Sequence, residues 1–127
     1  MANDVVVDVV VVGGGLAGLS AANRAAELGL SVVVLEQGAA PDYPCNSRYS
    51  GGIVHVAQKD MRADPADIQA AIDALTDGDN STALSPIMAD EAARALEWMR
   101  EQGGKFIKGG VLEFMRWVLA PPRPRRP

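Results

Sequence analysis

The chain has 127 residues, 48% hydrophobic and 5% aromatic, enough to bury one core and to form at most one domain. Its net charge of -4 argues against a nucleic-acid partner, and the balance is more acidic still without Arg123, Arg125 and Arg126 near the end. One cysteine, Cys45, cannot form an internal disulfide, and Met1 is not followed by a basic region and a long apolar stretch, so a cytoplasmic setting is expected.

The first expected element is a strand. The run from Val5 to Val12 is apolar apart from Asp8 and far too short to span a bilayer, so no membrane span is expected there. An unpaired carboxylate in mid-strand costs too much, which places Asp8 at the entrance of the buried strand and Val5 to Val7 outside it or at an edge. Successive β-branched residues suit a parallel strand covered on both faces. Gly13 permits a sharp exit, Gly15 lets the backbone approach a pyrophosphate, and Gly18 lets a helix pack close to the sheet.

That helix is expected from Leu16. Leu16, Leu19, Ala22, Ala26 and Leu28 lie mostly on one side, Asn23, Arg24 and Glu27 mostly on the other, and Gly29 stands where a helix ends. Its free N–H groups and positive dipole end, at Leu16 and Ala17, favour phosphate. A second run, Val32 to Leu35, ends in Glu36, whose carboxylate can accept from ribose hydroxyls and would repel a 2′-phosphate. Glycine turns also end strands that bind nothing. Here the preceding strand, the following helix and the terminal acid together identify residues 5–36 as a βαβ unit that binds a dinucleotide.

Residues 37–56 are expected as a loop. Gln37 to Cys45 holds two prolines, and Asn46 to Gly52 continues with small, hydrogen-bonding residues that either cradle a ligand or form an ordinary turn. A helix over about 64–77 is expected from the Asp64-Pro65 start, Asp67 in the first turn, and an Ile68, Ile72, Leu75 stripe up to Gly78. Ser85-Pro86 repeats the device for a helix over about 85–102. Its apolar positions are Met88, Ala92, Ala95, Leu96 and Met99, Glu97 and Arg100 can pair, and Gly103-Gly104 stops it. Asp77 to Leu84 between them lacks calcium-loop spacing and reads as a solvated connection, and no metal site is expected. Lys105 to Leu119 is ambiguous, with Phe106-Ile107 and Phe114 to Leu119 as its apolar parts. Residues 121–127 form a Pro/Arg-rich tail, either a ligand for an adaptor domain or, as preferred, an extended connection.

The stretch VVVVGGGLAGLSAANRAAELGLSVVVLEQ together with NSRYSGGIVHVA resembles the amino-terminal flavin-binding part of the fumarate reductase/succinate dehydrogenase flavoprotein family. EAARALEWMREQGGKF and RWVLAPPRPRRP bring the resemblance nearest to its tricarballylate dehydrogenases. The resemblance implies FAD as cofactor. It implies that Gly13, Gly15 and Gly18 cradle the pyrophosphate, that Glu36 holds the adenosine ribose with Gln37 beside it, and that Asn46, Ser47, Ser50, Gly51 and Gly52 run along the flavin side. Respiratory members tether their flavin through a histidine ahead of the Gly-Gly pair. Here the single histidine, His55, follows Gly51-Gly52, so noncovalent FAD is expected.

The implied chemistry is hydride transfer between flavin and the carbon α to a carboxylate, with proton transfer at its neighbour. In the family the residues that fix the carboxylate substrate come mainly from a capping domain and the carboxyl-terminal half. No catalytic residue is therefore assigned within this chain, a structural role is preferred for His55 and a packing role for Cys45, and the chain is expected to correspond to a truncated FAD-binding domain over residues 1–120. The expected fold class is α/β, a Rossmann-like βαβ unit with an incomplete parallel sheet followed by two or more helices. Open sheet edges and an uncovered face lead to an expected homo-oligomer. Two alternatives stand: an NAD-binding Rossmann domain of another dehydrogenase, and a noncatalytic interaction module.

Overall fold

The computed structural model describes residues 4–120. The Pro/Arg tail lies outside the described residues. Composition allows for one core, whereas the chain divides into two compact units, Met1–Gly51 and Gly52–Pro127.

The first unit carries β1 (Val9–Val12), α1 (Leu16–Glu27), β2 (Val32–Leu35) and a one-turn α2 (Asn46–Tyr49). β1 and β2 are parallel, in register from Val9 opposite Val32 to Val12 opposite Leu35. Asp8 stands at the entrance, as expected, and has a partner. Its carboxylate accepts from the Ser31 N–H at 2.8 Å and the Ser31 hydroxyl at 2.6 Å. These bonds, the side-chain one first, hold its pKa below the ordinary value, so the pair pins the strand ends with the charge left in water.

α1 ends in a Schellman motif: Gly29, at φ +80°, donates to the Ala26 carbonyl and Leu30 to that of Ala25. The β-branched run suits cover on both faces, but as expected of the incomplete sheet one face is open: Val11 is buried, while Val10 is 56% and Val12 82% exposed, because two strands and one crossover helix cover only one face. The segment after Cys45 also differs from the expected loop. Local bonds close it into α2, with Arg48 N–H on the Cys45 carbonyl and the Ser50 hydroxyl on that of Ser47.

The second unit is built on α3 (Pro65–Leu75) and α4 (Ser85–Glu101). Asp64 caps α3 as expected, accepting from the Ala66 N–H at 2.8 Å with Pro65 in the first turn. Ser85 does not cap α4. It is the first helical residue and is buried, its hydroxyl donating to the Ser81 carbonyl, while Leu84 stands at the cap. The buried stripe of α4 is accordingly Ser85, Ala89, Ala92 and Leu96, leaving Met88 and Ala95 exposed. On α3, Ile68 and Ile72 are buried as expected, but Leu75, its last residue, is 59% exposed. α4 stops at the glycines, Gly103 and Gly104 donating to the Arg100 and Met99 carbonyls.

Met61, Ile68, Ile72, Ala89, Ala92 and Leu96 form the core of this unit, with Phe106 and Trp117 packed on its side. The ambiguous segment resolves into an antiparallel pair, β3 (Phe106–Ile107) and β4 (Val118–Leu119), joined through a 3-10 turn over Glu113–Met115. Trp117 is fixed by three neighbours. Its indole N–H donates to Asp60 at 2.6 Å, the Arg62 guanidinium lies 4.6 Å over its ring, and Phe106 meets it edge-on. Among the described residues no helix is long and apolar enough to cross a membrane.

Candidate functional site: the glycine turn of the first unit

The site is built where β1 gives way to α1. Gly13 leaves the strand at φ +102°, its N–H on the Leu35 carbonyl at 2.7 Å, a conformation that a side chain would strain. Gly18 is required by contact instead. A Cβ there would lie 2.0 Å from the Gly13 carbonyl oxygen and 3.2 Å from Val11 Cγ1, so its absence lets α1 sit on β1. Gly15 has ordinary dihedrals, φ -74° and ψ 177°, and a Cβ there would meet only Ser47 Oγ at 3.6 Å. The space before Gly15 is thus a cradle that a side chain would fill.

Donors and acceptors surround that cradle. The Leu16 N–H, first of α1, donates to Ser47 Oγ at 2.9 Å, and no acidic residue sits in the first turn of α1 to compete with an incoming anion. Glu36 closes the other side. One carboxylate oxygen accepts from the Gly14 N–H at 2.7 Å and the other from the Gly38 N–H at 2.9 Å. These two bonds, Gly14 first, lower its pKa below the ordinary glutamate value and keep it charged. A carboxylate has about four acceptor positions, so Glu36 keeps room to accept from a ribose hydroxyl.

The first unit therefore brings Gly13, Gly15, Leu16, Gly18, Glu36 and Ser47 around one turn. Ala17 is the second residue of α1 and exposed, and Gln37 is exposed next to Glu36. Asn46 opens α2, Ser50 follows it, and Gly51, at φ +70°, ends this unit. Gly52 belongs to the second unit, where its carbonyl accepts from the Leu119 N–H at 2.9 Å. His55 has structural contacts: Nδ1 accepts from the Gln58 N–H at 3.1 Å and the ring meets Phe114 edge-on. Among the described residues no group of three or more His, Cys, Asp or Glu is placed to hold a metal.

Sequence reasoning missed Tyr43 and Arg48. The Tyr43 hydroxyl donates to the Gly14 carbonyl at 2.6 Å, and the Arg48 guanidinium lies 5.1 Å from the centre of its ring. The one available signal was an aromatic residue with a polar tip between Pro41 and Pro44, since its contact with Gly14 spans 29 positions.

A parallel βαβ unit whose glycine turn, helix start and terminal carboxylate face one cradle defines a dinucleotide-binding domain. A family model described as FAD binding domain matches residues 8–121, and the chain belongs to that family, the flavin-binding domain of fumarate reductase/succinate dehydrogenase-like flavoproteins. No curated protein and no solved structure matches the chain. FAD is thus the cofactor, and the chain is the FAD-binding domain of a flavin-dependent oxidoreductase, which sets aside the NAD-binding alternative. The cradle fits the group: a space that a Cβ would fill lies at the start of α1, whose first turn has no acid, with a charged carboxylate beside it for a ribose.

Proposed function

We propose that this domain holds FAD, without a covalent bond, for a cytoplasmic dehydrogenase or reductase acting on a tricarboxylate or dicarboxylate, tricarballylate being the expected substrate type. Gly13, Gly15, Leu16, Ala17 and Gly18 receive the pyrophosphate, Glu36 and Gln37 the adenosine ribose, and Asn46, Ser47, Ser50, Gly51 and Gly52 the flavin side. The observation that carries these roles is the cradle at Gly15, flanked by the Leu16–Ser47 bond and the Glu36 carboxylate held by Gly14 and Gly38. The substrate class is supported by the NSRYSGG and RWVLAPPRPRRP stretches, and noncovalent binding by the place of His55 after Gly51-Gly52. FAD, when bound, supplies hydride transfer; the residues of this chain bind it, orient it and hold a negative charge at the ribose.

Protein refolded with excess FAD is expected to show a visible flavin band shifted from that of the free cofactor, and to release all of it on denaturation. Binding of NAD and not FAD would refute the cofactor roles, and flavin remaining on the denatured chain would refute noncovalent binding. Turnover is proposed to need cationic residues beyond these. The 127-residue protein with FAD and an artificial electron acceptor is expected to leave tricarballylate and succinate unoxidised, and measurable turnover would refute that part. Self-association is proposed from the exposed Val10, Val12 and Leu35; a single monomeric species in sedimentation across concentration would refute it.

A further inference from the structure

The glycine turn presents three successive backbone N–H groups, and they differ. That of Gly14 is taken by Glu36 and that of Leu16 by Ser47 Oγ. The Gly15 N–H between them has no acceptor among the described residues. It belongs to the same peptide unit as the Gly14 carbonyl. The described chain has no cis peptide bond, so in this planar trans unit the carbonyl and the N–H point in opposite directions. Whatever holds the Gly14 oxygen therefore aims the Gly15 hydrogen. Between two glycines the unit has little steric restraint of its own, because neither residue carries a Cβ.

Tyr43 holds that oxygen, at 2.6 Å. Tyr43 is itself braced from three sides. Its N–H donates to the Ala40 carbonyl at 3.1 Å, and its Cβ packs on Gly38 so closely that a side chain there would meet it at 2.2 Å. Arg48 stacks on the ring while its guanidinium donates to the Pro41 carbonyl at 2.7 Å.

We infer that Tyr43 is a positioning residue: by fixing the Gly14 carbonyl it aims the free Gly15 N–H into the cradle, at a phosphate oxygen of the dinucleotide. The inference rests on the FAD reading above and adds to it the element that orders the turn before the cofactor arrives. Phosphate is the part of the ligand affected, since the adenosine ribose is served by Glu36 from the other side.

The test is Tyr43→Phe, which keeps the ring, its packing on Gly38 and the stacked Arg48 while deleting the hydroxyl. ADP and FAD are expected to bind about five- to tenfold more weakly, because the Gly15 N–H is kept but less well aimed, with adenosine binding unchanged. In the nucleotide-free protein the Gly15 amide resonance is expected to move on substitution. In the wild-type protein that amide is expected to exchange with solvent freely and to become protected when ADP is added. An unmoved Gly15 resonance in Tyr43→Phe overturns the inference whatever the cofactor. So does an equal loss for adenosine and ADP, which marks Tyr43 as merely structural, or a Gly15 amide already protected without nucleotide. A wild-type protein that binds neither FAD nor ADP overturns the cofactor reading and this inference with it.

Discussion

Adding one methyl group at Gly15 and at Gly18 is expected to separate binding from folding. At Gly18 the new Cβ would stand 2.0 Å from the Gly13 carbonyl oxygen, against an ordinary carbon–oxygen contact of about 3.3 Å, so the start of α1 must retreat by over about 1 Å. The clash is with backbone, which cannot rotate away. Overpacking of this kind costs about 1–3 kcal/mol, partly offset by up to about 1 kcal/mol because alanine favours helix over glycine. Gly18→Ala is therefore expected to destabilise the first unit by about 1–2 kcal/mol and lower its melting temperature on the order of 5–15 °C. Gly15→Ala meets only Ser47 Oγ at 3.6 Å and needs no unusual dihedral, so its melting is expected to shift by less than about 1 kcal/mol. Its methyl group instead fills the proposed phosphate position. Losing one charge-assisted hydrogen bond, at about 1.5–3 kcal/mol, corresponds to FAD binding weaker by about 10- to 100-fold. Flavin fluorescence titration and thermal unfolding of both variants read the two effects independently. Wild-type FAD affinity in Gly15→Ala, or an equal loss of stability in the two variants, would refute the reasoning.

Glu36 sets a pH window. Its folded pKa is lowered, so its contribution to stability and to the proposed ribose binding is full above the ordinary glutamate range, about 4.3, and is lost as pH falls through the lower folded value. FAD affinity is expected to stay flat from about pH 8 to pH 5 and to fall only below about pH 4. Glu36→Gln, whose amide has one acceptor oxygen, is expected to bind FAD at least about fivefold more weakly at neutral pH; an unchanged affinity by titration would count against the ribose role. In the second unit, Asp64→Ala removes the α3 cap and is expected to cost about 1 kcal/mol in chemical denaturation, with no change in flavin affinity. Leu96→Ala, at a position with 0% exposure, is expected to cost about 2–5 kcal/mol, whereas Leu75→Ala, at 59% exposure, is expected to cost less than about 1 kcal/mol. Equal losses for the two leucines would refute the observed phase of α3 and α4.

Local features of the chain were enough to determine the elements that carry their own chemistry. Glycines at three fixed spacings after a valine strand, an acid closing the second strand, and Asp64-Pro65 each act within a few residues of themselves, so the βαβ unit, its cofactor class and the start of α3 follow from residue type and order. Helix ends at Gly29 and Gly103 follow for the same reason, since a left-handed residue is needed there whatever the surroundings.

Only the tertiary structure decided what depends on neighbours distant in sequence. The buried face of α4 begins at Ser85 and not at Met88, because the partner face is Ile68 and Ile72 of another helix and periodicity alone leaves the phase free by a residue. The strand pair at Phe106 and Leu119 and the place of Trp117 against Asp60, 57 positions away, likewise have no local signature. The same holds at the site. Glu36 could be read from its position, but that Gly14 and Gly38 fix its charge, that Ser47 meets Leu16, and that Tyr43 grips the peptide behind Gly15 required the loop after β2 to fold back onto the turn. Sequence order determined which groups can meet a dinucleotide; the backbone path determined which of them are already held and which N–H is left without an acceptor among the described residues.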